Sequence, residues 1–221
     1  MRSKMKRRQL LKSFAALGVG SLVSPQASYA YSRCMAAMNP MGKVCESGVK
    51  LPRVQHSYRD QELNQWCWAA SISMIFAFHG YRVSQREIVK AVYGREVNLP
   101  AMAGRTISSQ LSRDWVDNDG LEFSVEIEGL YDFDAGITGL TNSMIIDALN
   151  DERPLIMGTR SHAMVLTSIA YVPVPGNPQI FNIGLADPWP GAGLRGARNR
   201  GELYPMHLGG DLRYLALPKV V

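Results

Sequence analysis

Cysteine is scarce in this sequence: 221 residues hold 3 of them. They do not fall into the paired spacings that hold zinc, and no paired histidine spacing replaces them. No glycine-rich loop of the phosphate-cradling kind is present. No apolar run is long enough to cross a bilayer. Charged residues are also few, at 19%, against 46% apolar residues. That balance excludes bulk disorder and provides for a sizeable core. The length suits one compact domain and is short for two. Internal repeats and low-complexity linkers are lacking as well.

A basic folded face is missing too, despite the formal net charge of +5. Residues 1–30 carry Arg2, Lys4, Lys6, Arg7, Arg8 and Lys12 and no acid. Without these six, 18 bases stand against 19 acids, a net charge of −1. Nucleic-acid binding therefore loses its electrostatic support. The stretch 114–134 contains eight acids and no base, which reads as a solvated face. Asp117-Asn118-Asp119-Gly120 is like a fragment of a calcium loop but lacks the later Glu ligand, so it reads as a turn. Neither metal nor cofactor is expected.

What residues 1–30 do contain is the pattern of an export signal. A basic segment from Lys4 to Lys12 precedes a short apolar stretch, Phe14 to Val23, and small residues at Ser28 and Ala30 offer a cleavage site. Lys6-Arg7-Arg8-Gln9-Leu10-Leu11-Lys12 resembles a twin-arginine signal, which implies export of an already folded chain. The mature protein is then expected to begin near Tyr31, to engage export machinery through its leader, and to be periplasmic or secreted. Tyr31-Ser32-Arg33 ahead of Cys34 is unlike a lipidation site, so no membrane anchor is expected.

An odd cysteine count in an exported chain leaves one thiol over. Cys34 and Cys45 flank a stretch with Pro40 and Gly42 that can turn back on itself, so they are expected to pair. Such a closed loop is worth about 3 kcal/mol by chain entropy. Cys67 remains free, in Gln65-Trp66-Cys67-Trp68-Ala69-Ala70-Ser71. An unpaired thiol in an oxidising compartment suits a nucleophile.

Residues 31–60 read as an irregular segment. Helices are expected over Cys67–His79, Gln85 to about Val92, Thr106–Val116 and Thr141–Asn150. The first is apolar on nearly every side and so buried. The second opens with the capping box Ser84-Gln85-Arg86-Glu87 and closes at Gly94. Leu121–Ile127 alternates like a strand, and strands follow at Leu155–Thr159, Ala163–Val172, Gln179–Ala186 and Leu212–Leu217. Helices first and strands later predict an α+β fold.

Cys67 stands at the first turn of its helix, where free N–H groups and the dipole favour a thiolate. A thiolate nucleophile needs a base, usually His. His79 lies twelve residues along the same helix, about 18 Å away. His56 and His207 fall in irregular stretches. His162 opens a strand, a rigid place to hold a ring. If the chain turns symmetrically about position 174.5, residue 162 faces residue 187, which is Asp187. An Asp there would orient the imidazole.

Gln61-Glu62-Leu63-Asn64-Gln65-Trp66-Cys67-Trp68-Ala69-Ala70-Ser71 resembles the nucleophile helix of papain-like cysteine peptidases, closest to the C39-like and AvrRpt2-like (C70-type) branches. Val83–Val89, Arg153–Gly158 with His162–Leu166, and Asp187-Pro188-Trp189 are similar to later blocks of that family. The resemblance spans roughly residues 54–190. It implies a papain-like fold over residues 61–221, with an N-terminal helical part carrying the nucleophile on a C-terminal antiparallel sheet. It implies Cys67 as nucleophile, His162 as base and Asp187 as orienting acid. Gln61, six residues before Cys67, becomes the oxyanion donor, with Gln55 and Gln65 as alternatives lacking that spacing. Ser161 departs from the usual Gly before the base. Trp66 is expected to line the substrate cleft, and Trp68 to pack. The implied activity is hydrolysis of a peptide or protein through a thioacyl-enzyme. Acyl transfer through the same intermediate, or a non-catalytic binding module on the same scaffold, are the alternatives.

Overall fold

The computed structural model describes residues 30–36 and 42–221. The expected leader, apart from Ala30, lies outside the described residues. The chain runs β1 (Tyr31–Ala36), β2 (Lys43–Gly48), α1 (Leu51–Ser57), α2 (Cys67–Phe78), α3 (Gln85–Tyr93) and α4 (Gly104–Gln110). It continues through β3 (Arg113–Val116), β4 (Glu122–Asp132), β5 (Ile137–Thr138) and α5 (Asn142–Asn150). It ends with β6 (Leu155–Gly158), β7 (Ala163–Val172), β8 (Gln179–Asp187), β9 (Gly193–Gly196) and β10 (Tyr214–Val220). The class is α+β, with five helices and one large antiparallel sheet among the described residues.

The sheet order is β1-β2-β7-β6-β10-β4-β3, with β8 on β7, β9 on β8 and β5 on β4. One edge of β7 bonds β6 along Ala163–Leu166 and β2 along Ser168–Tyr171, while the other edge bonds β8. Helix α2 packs on β6 and β7, and is flanked by α1 and α3. It is buried almost throughout, with Trp68, Ile72, Ile75 and Phe76 inaccessible to solvent. That is why its sequence is apolar on every side: it has no wet face to mark with charge. Phe76 meets Trp115 and Phe123 at ring separations of 5.4 and 5.1 Å, joining the helix layer to β3 and β4. No helix among the described residues is long and apolar enough to cross a membrane.

Local signals hold where they are strong. Ser84 caps α3 with the reciprocal Glu87 box, and Gly94 closes it in the left-handed region. Thr141 caps α5 through the Met144 N–H.

Three expectations are corrected. Residues 31–60 are not irregular: β1 and β2 form a hairpin, and α1 follows. Cys34 and Cys45 are directly opposed on it and form the disulfide. The reason is tertiary, because β2 is a strand by docking on β7. Gly48 permits that approach, since a Cβ there would come within 2.7 Å of Ser168 and Tyr31. These N-terminal strands also mean that the sheet is not assembled from the C-terminal half alone.

The expected helix Thr106–Val116 splits. Its first part is α4, but Arg113–Val116 is strand β3, paired to β4 so that Trp115 opposes Phe123. Burial of Trp115 against Phe76 outweighs helical propensity over four residues. The third correction is register. Val165 faces Ala186, where a symmetric turn expects Gly184. Val172 pairs Gln179, which displaces the turn, and irregularities at Leu166/Ser168 and Ala170/Tyr171 change the count again along the ladder.

Candidate active site

Helix α2 begins at Cys67, and its N-cap Trp66 supplies no side-chain hydrogen bond to the first turn. The N–H groups of that turn have no carbonyl four residues back, so they are oriented toward whatever lies at the helix end. Cys67 is partly exposed and unpaired. The loop leading into it is clamped from two sides. Gln85, at the start of α3, accepts from the Glu62 N–H at 3.0 Å and donates to the Asp60 carbonyl at 2.8 Å. The Gln61 N–H donates to the Pro188 carbonyl at 2.7 Å. The nucleophile segment is thereby tied to the chain just after Asp187.

His162 stands immediately before β7. Thr159 closes the β6–β7 turn by donating its N–H to the His162 carbonyl at 2.8 Å. Ser161 has no positive φ, so the missing glycine costs no backbone strain. His162 Nε2 lies 2.6 Å from Asp187 Oδ1, and Cys67 lines the same cleft as the ring. With Nε2 on Asp187, Nδ1 is the nitrogen left for the thiol. Burial by itself lowers the His162 pKa. The hydrogen bonds to Asp187 and Cys67, and the charges behind them, outweigh burial and raise it from 6.5 to about 9.

Asp187 ends β8 and is wholly buried. Burial pushes its pKa up. Hydrogen bonds from His162, Arg195 and the Trp189 N–H more than offset that and hold it below the usual carboxylate range. The Arg195 Nε donates to Oδ2 at 2.6 Å, and the Trp189 N–H to Oδ1 at 2.9 Å. The Tyr58 hydroxyl lies 2.8 Å from the Asp187 carbonyl oxygen and 2.7 Å from Asp60 Oδ1, and accepts the Gly193 N–H. Burial, then the Asp60 carboxylate, push the Tyr58 phenol up to about 12, so it stays a neutral hydroxyl.

A cleft of about 140 Å³ opens over this group. Cys67 and His162 line it together with Trp68, Ala101, Gly104 and Thr159. Cys67, His162 and Asp187 are therefore assembled in one place, although the register that singled out Asp187 was wrong by two residues. His162 is outside the ladder, and its side chain reaches Asp187 from the strand end. The other histidines are elsewhere. His79 follows α2, and burial with nearby Arg53 and Arg153 lowers its pKa to about 4. His207 pairs with the Tyr131 hydroxyl, and His56 belongs to α1.

Trp66 is a correction. It is 1% exposed, its Nε1–H donates to the Val97 carbonyl at 2.8 Å, and it does not line the cleft; Trp68 does. Trp68 is itself fully buried and forms part of the cleft wall, so its expected packing role holds. Replacing Trp66 by Phe is expected to lower stability by about 1 kcal/mol through the lost hydrogen bond and to leave KM unchanged. Urea denaturation and peptide hydrolysis together check this.

Gln61 is 6% exposed. Its Nε2 donates one hydrogen to the Leu63 carbonyl at 2.9 Å, and its Oε1 has no partner. The amide has a second hydrogen, although Gln61, like Trp66, is not among the residues that line the cleft. Asp117 accepts the N–H groups of Arg82, Asp119 and Leu121, which makes its segment a turn.

Sequence reasoning missed Arg195 and Glu202. The Arg195 guanidinium is forked onto Glu202, with both contacts at 2.9 Å. A tight turn at Pro190-Gly191 was legible and would have brought β9 back along β8, but no local pattern says that an arginine reaches diagonally across it.

No curated protein matches the chain closely enough to inform on it. A family model described as papain-like cysteine protease AvrRpt2 matches residues 50–199. Of the two branches the sequence resembles, this match supports AvrRpt2 and not the C39-like one. It takes in α1 through β9 and more than half of the chain, including Cys67, His162 and Asp187. Peptide or protein substrates follow from that membership. The chain belongs to the AvrRpt2 family of papain-like cysteine proteases.

Proposed function

We propose that this protein is an exported cysteine peptidase in which Cys67 is the nucleophile. The observation that carries the reading is one cluster: a free thiol at a helix N-terminus, lining one cleft with an imidazole whose Nε2 is 2.6 Å from a buried carboxylate. The Cys67 sulfur attacks the scissile carbonyl carbon, and an S–C bond forms. The oxyanion is met by the Cys67 N–H and the remaining Gln61 amide hydrogen. The His162 imidazolium gives its Nδ1 proton to the leaving amine, and the C–N bond breaks. Water then loses a proton to His162, attacks the thioester, and releases the acid product with the sulfur as leaving group. Asp187 holds the ring and stabilises its charged form.

Export is supported by the twin-arginine-like leader and by the Cys34–Cys45 disulfide, which suits an oxidising compartment. The test needs no substrate. Iodoacetamide alkylation of Cys67 at pH 6 is expected to be at least about tenfold slower in His162→Ala than in the wild type, because the imidazolium beside the sulfur is lost. Equal rates in the two proteins would overturn the reading.

A further inference from the structure

Asp187 is held from both sides. Oδ1 faces His162, and Oδ2 accepts the Arg195 Nε–H at 2.6 Å. Arg195 sits on β9 opposite Leu185, two residues back from Asp187, so its guanidinium spans the ladder diagonally. Its other end is clamped by Glu202, with Nη1 on Oε2 and Nη2 on Oε1, both at 2.9 Å. Glu202 is itself fixed: its Oε2 accepts the Arg198 N–H at 2.8 Å, and its own N–H is capped by Asn199. Glu202 lies beyond residue 199, where the family match ends.

The charges oppose one another in a fixed order. An arginine alone against Asp187 would cancel much of the negative field that His162 requires. Asp187 without Arg195 would keep only the long 3.5 Å contact from the exposed Arg198 on Oδ2, leaving it freer to rotate or to take up a proton. Glu202 restores one negative charge to the row, and the bidentate fork fixes the geometry. We infer that Arg195 and Glu202 are positioning residues that lock Asp187 Oδ1 onto His162 and, by their opposed charges, set how firmly His162 keeps its proton.

The charged groups on the cleft side of His162 are paired: Arg160 with Asp211, and Arg213 with Asp134. Arg198 reaches Asp187 Oδ2 at 3.5 Å but is largely exposed and therefore screened. From the segment after α1, the Tyr58 hydroxyl meets the Asp187 carbonyl, with Asp60 behind it. From α2, Cys67 faces His162. None of these residues is itself substituted in the variants below, and Arg198, which touches both Glu202 and Asp187, is present in all of them.

The inference rests on the peptidase reading for its purpose, but its test reads His162 directly. The ring resonances of His162 are followed against pH by NMR in the wild type, Glu202→Gln, Arg195→Gln and the double variant. Glu202→Gln leaves Arg195 uncompensated, and the His162 midpoint is expected to fall by roughly half a pH unit or more. Arg195→Gln removes the opposing charge, and the midpoint is expected to rise by a similar amount. The double variant returns near the wild-type midpoint, yet its Cys67 is alkylated by iodoacetamide several-fold more slowly because Asp187 is no longer locked. Arg195→Lys restores the midpoint but not the rate, since an ammonium cannot make the fork.

Unmoved midpoints, or shifts of the same sign in both single variants, would overturn the inference, because general loosening has no reason to change sign with charge. If Arg195→Gln does not fold, Glu202→Gln alone decides by its sign. Opposite shifts in a protein that hydrolyses no peptide would refute the peptidase reading and leave the charge row standing. Hydrolysis with unmoved midpoints would do the reverse.

Discussion

Cys67→Ala is expected to abolish peptide hydrolysis, by about 10⁴-fold or more, while the folded state persists. The nucleophile forms the bond that splits one hard step into two, and no neighbouring group replaces it: the other two cysteines are joined to each other on the β1–β2 hairpin. The fold is expected to survive because Cys67 is partly exposed at the helix end and fills no core site. Alanine is also a better helix former than cysteine. Matching far-ultraviolet circular dichroism and denaturation midpoints, together with total loss of turnover, make up the expected result. Residual turnover at even a hundredth of the wild-type rate would remove Cys67 from the chemistry.

Asp187→Ala is expected to damage both rate and stability. Without the carboxylate, His162 loses its orienting partner and the charge that stabilises its imidazolium, and kcat/KM falls by about 10³-fold or more. The same substitution takes the Asp187 carboxylate from Arg195, which keeps its fork on Glu202, so the loss is that of a charge-assisted hydrogen bond, about 2 kcal/mol. That is a large share of an ordinary domain's stability. Asp187→Asn keeps the shape and separates the two effects, since its NH₂ must face one of the donors now served by oxygen.

The stability cost has a predictable pH window. His162 is raised in the folded state, so its contribution is complete below its unfolded value of about 6.5 and is lost as pH rises through about 9. Asp187 is depressed, so its contribution is present above its unfolded value of about 3.8 and is lost as pH falls through the folded value. The gap between wild type and Asp187→Ala is therefore widest between roughly pH 4 and 6.5. It narrows toward pH 9 without closing, because the Arg195 contact persists there. Urea denaturation at pH 5, 7 and 9 measures it, and a gap that widens toward pH 9 would contradict the assignment.

Membership of the family bears on the β1–β2 hairpin as well. The matched span begins at residue 50, so the hairpin and its disulfide precede it. They nevertheless extend the same sheet through β7, the strand that follows His162.

By itself, the sequence determined whatever depends on neighbours along the chain. The helix from Cys67, the Ser84–Glu87 cap, the Gly94 stop, the strands β6 and β7 and the pairing of Cys34 with Cys45, though not the strands that carry them, follow from local spacing and propensity. So did the choice of His162 over His79, because twelve residues of helix cannot bend back. Tertiary structure alone decided what depends on partners distant in sequence. β2 and β3 became strands because β7 and β4 offered them edges. Trp66 turned into the core instead of the cleft, while Trp68 packs as expected and is buried in the cleft wall, because of where α2 docks. The hairpin register slipped through irregularities that no local pattern announces, and Asp187 met His162 regardless because a side chain at a strand end can reach past its own rung. Arg195 and Glu202 entered the site by the same kind of reach, across strands and from a turn, with their charges neutralised only by groups that folding brings together.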